Sequence, residues 1–196
     1  MVTAMTLAGC ANEARQADPK KKPGAVATTE PAKPVEIQQR WWNWAAAEGT
    51  ATNPVSDRSG VDCARNQPVD VWFFAGSFGE TVRRKCSVPA GRPIVAPLVN
   101  VVASRKADCA TFLRDATGSA KFDGKRLSGE RMEGEKITYR GVDGNPITQT
   151  SALYEGTACG LWITIPAPVP GAHTLTIQGE SGSFALRVDY TFNVTA

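Results

Sequence analysis

Apolar and polar residues alternate most regularly at the end of the chain. Phe184, Leu186, Val188, Tyr190, Phe192 and Val194 interleave with Ala185, Arg187, Asp189, Thr191, Asn193 and Thr195. That is period two over a dozen residues, and it predicts a long strand with one buried and one wet face. Upstream, Val69, Val71 and Phe73 face one way and Trp72 and Phe74 the other. Both faces are apolar, so Val69 to Phe74 reads as a central strand covered on both sides. A second strand is expected over Thr81 to Val88, closed by the turn chemistry of Pro89-Ala90-Gly91. The apolar run Ile94 to Val102 is interrupted by Pro97, which demands an edge, a bulge or a break. Asp123-Gly124 signals a hairpin. Leu161 to Ile165 and His173 to Ile177 read as strands around a proline-rich turn, Pro166 to Gly171. Gly129 to Gly144, charged and glycine-rich, reads as a mobile excursion.

Helical spacing occurs twice. Ile37, Trp41, Trp44 and Ala45 share one face of a helix expected over residues 35–47, with Pro34 well placed at its start. A short helix is expected within Ser104 to Thr117, capped by Ser104 or Asp108. Asn53-Pro54 and Ser59-Gly60 mark an irregular loop. The expected fold class is mainly β: an antiparallel β-sandwich, jelly-roll or immunoglobulin-like, with one or two short peripheral helices.

The first sixth of the chain is different. Residues 11–34 hold four prolines and no aromatic residue. Such a segment buries too little apolar surface to offset its ordering entropy, so it reads as a disordered tether. It follows Leu7-Ala8-Gly9-Cys10, which resembles a bacterial lipobox. Cys10 is then the lipidation site, and several acyl chains would anchor it stably. Met1 to Thr6 lacks Lys and Arg and is short for a signal peptide, so residues 1–9 read as a truncated one, with the start codon placed too late. The expected organisation is that truncated peptide, a lipidated Cys with tether over 10–34, and one β-rich domain over 35–196.

Four more cysteines remain: Cys63, Cys86, Cys109 and Cys159. Structural zinc sites favour close pairs such as Cys-x-x-Cys, and these gaps are 23, 23 and 50 residues by subtraction. Disulfides are expected instead, of three pairings Cys63–Cys86 with Cys109–Cys159. The first brackets the strand Val69 to Phe74; the second ties the short helix to the strand near Leu161. An extracytoplasmic location on the outer face of the cell membrane follows. The net charge of +3 is too small to argue for nucleic acid, and no cofactor or metal is implied.

The stretch from Trp41 to Asn100 resembles a family of uncharacterised secreted proteins and lipoproteins, mostly of high-GC Gram-positive bacteria. The matching residues are Trp41-x-x-Trp44-Ala45, Asn53-Pro54, Asp57-x-x-Gly60, Cys63-Ala64-x-x-Gln67, Val71-Trp72-Phe73-x-Ala75-Gly76-x-Phe78-Gly79, Arg84-x-Cys86-x-Val88-Pro89-Ala90-Gly91 and Pro97-Leu98-x-Asn100, with Pro170-Gly171-x-His173-Thr174 near the end. The resemblance implies location and a β-rich fold, and brings no activity and no functional residues.

Candidate chemistry is sparse. His173, the sole histidine, reads as a buried side chain donating one hydrogen bond at a strand start, because no Gly-x-Ser-x-Gly elbow precedes it. Asp57 and Asp62 could join Asn53 around calcium, though without EF-hand spacing. Glu130, Glu133 and Glu135, among Arg131 and Lys136, look like a solvated loop. Trp41 and Trp44 lie on the apolar helix face and are expected in the core. Trp42 lies off it and is the candidate ligand-binding residue. The expectation is a non-catalytic module binding a cell-envelope component or a partner protein; the alternative is a secreted hydrolase with an unrecognised carboxylate site.

Overall fold

The computed structural model describes residues 33–196; Cys10, the lipobox and nearly all of the tether lie outside them. The elements in chain order are α1 (Pro34–Ala45), β1 (Trp72–Phe73), β2 (Thr81–Pro89), β3 (Ile94–Ala103), α2 (Lys106–Asp115), β4 (Thr117–Phe122), β5 (Lys125–Leu127), β6 (Glu130–Arg140), β7 (Leu153–Ile165), β8 (Gly171–Ser181) and β9 (Phe184–Thr195), with a 3₁₀ turn at Thr50–Thr52. Two sheets form, ordered β1-β3-β7-β6 and β2-β9-β8-β4-β5. The fold is mainly β and sandwich-like. It is not purely antiparallel, because β1 runs parallel to β3 and β2 parallel to β9.

The burial pattern explains the layers. The four-stranded sheet is covered on both faces, so β3 and β7 are near-continuous apolar runs. One face meets the five-stranded sheet through Trp72, Ile94, Ile163, Leu175, Val188 and Phe192. The other meets α1 through Trp41, Trp44, Phe73, Val95, Ile137 and Trp162. The five-stranded sheet keeps its outer face in water, which is why β9 alternates so strictly.

Four expectations about elements need correction. The strand expected over Val69 to Phe74 shrinks to Trp72–Phe73 and stands at a sheet edge, with Val69 85% exposed. Its two faces are buried as expected, but its open edge is paired by a side chain. The Gln67 amide donates to the Phe73 carbonyl and accepts from the Phe73 N–H, each at 2.8 Å. The stretch Gly129 to Gly144 is no excursion, since it contains the 11-residue strand β6. A bulge between Met132 and Glu135 moves the buried positions from Met132 and Gly134 to Ile137 and Tyr139. That change of phase hides the alternation from a period-two reading. Neither Ser104 nor Asp108 caps α2: Arg105 occupies the cap position, and Asp108 instead takes the Arg105 guanidinium at 2.7 Å. The helix expected over 35–47 ends at Ala45, where Asn53 and Asn145 satisfy its last carbonyl. Pro97 does mark a bulge, between Pro97 and Val99.

Both disulfides pair as expected. Cys63–Cys86 joins the loop before β1 to β2, and Cys109–Cys159 joins α2 to β7. Two such bridges indicate an oxidising, extracytoplasmic compartment. Among the described residues no helix is long and apolar enough to cross a membrane.

Candidate functional site

α1 presents three tryptophans, and all three are buried. Trp41 donates its indole N–H to the Phe74 carbonyl at 3.0 Å, and Trp44 to the Arg65 carbonyl at 2.8 Å. Trp41 meets Trp42 and Trp162 edge-on, with ring centres 5.1 and 5.6 Å apart. The expectation that Trp42 stands off the buried face is wrong: it is 7% exposed and packs near Tyr139. A helix lying on a flat sheet buries one stripe. Here the loops carrying Val55 and Ile147 wrap a second side and bury Trp42, while Gln38 is buried against β6, donating to the Glu133 carbonyl at 3.4 Å. Trp42 therefore offers no exposed stacking platform.

It does form the wall of a cleft. A cavity of about 270 Å³ opens between α1, the loop after β1, the end of β3 and the start of β9. Trp41, Trp42 and Val55 line it on one side, Asn100 and Val102 on another, and Phe78 and Phe184 stand at its rim. Phe78 is 51% exposed and Phe184 37%. No charged side chain lines it. Ser77 is committed to Glu80, donating to its carbonyl at 2.7 Å and accepting from its N–H at 3.0 Å. The Trp42 indole N–H and the Asn100 amide NH₂ reach no acceptor among the described residues. Two donors held out of water without partners cost about 1–3 kcal/mol each.

Beside the cleft sits a buried cation that sequence reading missed. Arg84 is 2% exposed. Its guanidinium donates to the carbonyls of Val55, Asp57, Ala75 and Gly76 and to the Tyr190 hydroxyl, at 2.6–3.0 Å. It ties the loops below the cleft to the five-stranded sheet. Its signal lay in β2, where Arg84 shares a face with Val82 and Val88.

The other candidates are accounted for locally. One Asp57 carboxylate oxygen accepts from the Ser59 N–H and hydroxyl and the Gly60 N–H, and the other accepts from the Asp62 N–H. Burial pushes this carboxyl up, but those bonds outweigh it and hold it below the usual carboxylate range. Asp62 engages Arg65 at 2.7 Å, and the Asn53 amide donates to the Ala45 and Glu48 carbonyls. The calcium grouping is thus consumed by turn and helix-end bonds, and among the described residues no cluster of three metal-ligating side chains forms. Glu130, Glu133 and Glu135 are exposed as expected, but on a strand, with Glu133 paired to Arg131 at 2.7 Å.

His173 is held at both ring nitrogens rather than one. Nδ1 meets Asp123 at 2.7 Å and Nε2 meets the Val169 carbonyl at 2.9 Å, while the ring stacks on Phe122. The hydrogen bond to Asp123 raises the imidazole above its ordinary value, against the pull of burial. Asp123 occupies a positive-φ position in the β4–β5 turn. This pair closes a hairpin onto β8, and no nucleophile belongs to it.

No protein-family model matches the chain, and no curated protein matches it. Among solved structures it aligns with a family 123 glycoside hydrolase from Clostridium perfringens, at 15% identity over 58% of this chain and 22% of that one, with a TM-score of 0.28. The chain spans less than a quarter of that enzyme's length, and a likeness this slight carries no functional argument.

Proposed function

We propose that this chain is a membrane-anchored extracytoplasmic lipoprotein of the secreted family it resembles, and that its β domain is a non-catalytic binding module. The observation that carries the reading is the uncharged, aromatic-rimmed cleft over Trp41 and Trp42. Concave apolar sites with few polar groups are the usual form of ligand pockets. Exposed Phe78 and Phe184 at the rim are costly in water unless an apolar partner covers them. A charged ligand would lose hydration here and find no counter-ion, so the cleft selects an uncharged apolar group of a cell-envelope component or partner protein. The two disulfides and the Leu7-Ala8-Gly9-Cys10 motif support the location.

Two measurements test this. Mass spectrometry of the native mature protein should find acylated Cys10 at its N-terminus. The neutral dye N-phenylnaphthylamine should brighten on binding the folded domain. Phe78→Ser with Phe184→Ser should weaken that binding by roughly ten-fold, about 1.4 kcal/mol, while leaving the thermal melt nearly unchanged. Dye binding that survives both changes would rule out the cleft.

A further inference from the structure

We propose a second binding surface, independent of the cleft: the wet face of the five-stranded sheet takes an anionic, phosphate-bearing polymer. One rung of this sheet crosses all five strands in register. Arg83 on β2 pairs with Asp189 on β9, Asp189 with Thr176 on β8, Thr176 with Lys121 on β4, and Lys121 with Arg126 on β5. At about 4.8 Å per strand the rung is roughly 19 Å long. Lys85 and Arg187 stand on neighbouring rungs of the same face. The face thus carries five cations, Arg83, Lys85, Lys121, Arg126 and Arg187, against three anions, Asp189, Glu180 and, at its edge beside Thr174, Asp123, whose carboxylate is held by the Thr174 N–H and His173.

The anions are already engaged. Asp189 takes Arg187 through two bonds, at 2.8 and 3.0 Å, and the Thr176 hydroxyl at 3.0 Å; Glu180 takes the Thr117 hydroxyl at 2.7 Å. Arg83, Lys85, Lys121 and Arg126 are exposed and make no ion pair among the described residues. Lys121 and Arg126 stand directly opposite one another, an arrangement of like charges that destabilises a strand pair. Such a local conflict in an otherwise consistent sheet marks a surface shaped by something other than stability. Thr174, Thr191, Gln178 and Ser119 supply hydroxyl and amide groups between the cations. No aromatic ring stands on this face, so contact rests on charge and hydrogen bonds rather than stacking. A chain of phosphates lying across the strands meets cations at both ends of the rung, Arg83 at one and Lys121 with Arg126 at the other. Lys and Arg are the side chains suited to phosphate.

The test uses long-chain inorganic polyphosphate, with neutral dextran and phosphatidylglycerol vesicles as comparisons. The disulfide-intact domain should bind polyphosphate, ignore dextran, and lose affinity steeply as salt rises. Lys121→Gln with Arg126→Gln should weaken binding roughly ten-fold or more, and Arg83→Gln should weaken it independently. Lys136→Gln with Arg140→Gln, an equal charge change on β6 of the other sheet, should leave it nearly intact. All these side chains are exposed, and unchanged near-ultraviolet dichroism confirms that the variants fold. No binding of polyphosphate at low salt overturns the proposal. So does an equal loss in both double variants, which would mean a response to net charge alone, and so does binding to the vesicles without binding to the polymer.

Discussion

At the scale of single residues, His173 shows how a side chain without a catalytic partner still governs stability. Its pKa is raised by the hydrogen bond to Asp123, so its stabilising contribution is fully present below about pH 6.5 and fades as pH climbs through the raised value. For Asp123, burial pushes the carboxyl up, but bonds from His173 and the Thr174 N–H prevail and lower it. Its contribution is present above about pH 3.9 and fades as pH falls through the lowered value. The two overlap between about pH 4 and pH 6.5. Asp123 is 40% exposed, so solvent screens the pair and its worth is about 1 kcal/mol or less. We expect Asp123→Asn to lower the melting temperature at pH 5.5 more than at pH 8.5. Equal losses at both values would show that the ionic coupling is absent.

The helix and its caps carry the argument at the scale of elements. α1 stops at Ala45 because two Asn-Pro dipeptides from distant loops converge on its end. Asn53 and Asn145 each donate to the Ala45 and Glu48 carbonyls, at 2.7–3.1 Å. Each also holds its own loop, accepting from the N–H of Val55 and of Ile147. Removing one amide leaves each carbonyl a second donor; removing both leaves two buried acceptors bare. We therefore expect Asn53→Ala and Asn145→Ala each to cost about 1–3 kcal/mol in urea unfolding. The double variant should exceed the sum by more than about 0.5 kcal/mol, because the carbonyls lose their last side-chain donor only when both amides are gone. Strict additivity would mean the two loops hold the helix independently. Asn53-Pro54 is visible in the sequence as a loop signal, and Asn145-Pro146 is its duplicate. That both point at one helix end is invisible there, since 92 residues separate them by subtraction.

For the whole molecule, the decisive contact lies where the two sheets close on one another. The bulge in β3 pushes Leu98 towards the facing sheet, and Gly179 on β8 passes directly beneath it. A Cβ at position 179 would collide with the Leu98 carbonyl, which is backbone and cannot rotate away. Gly179→Ala should cost roughly 2–3 kcal/mol or more and lower the melting temperature by several degrees. Gly49→Ala, whose Cβ would meet only ordinary contacts, should cost far less. Similar small losses at both positions would mean that the sheets are not in close contact there.

Local sequence decides a great deal of this protein. Period two reveals β9 and its wet face, Asp123-Gly124 the hairpin, Pro97 the bulge and Pro34 the start of α1, because each depends on neighbours in the chain. The evenness and wide spacing of Cys63, Cys86, Cys109 and Cys159 point to disulfides for a chemical reason of the same local kind. The rest depends on residues brought together from afar. Gln67 acts as a substitute strand only beside Phe73 in a folded loop, and β6 hides because a bulge changes its phase. Arg84 is legible as a charge in a strand, but its burial needs four carbonyls from two loops. Trp42 is buried because Val55 and Ile147 close over a side of α1 that periodicity leaves to solvent. The cleft and the basic rung share this origin: strand order sets the Lys121–Arg126 pair in line with Arg83, and loop packing brings Phe78 and Phe184 to one rim. Those arrangements are properties of tertiary packing, in which register and loop closure, rather than distance along the chain, decide which groups meet.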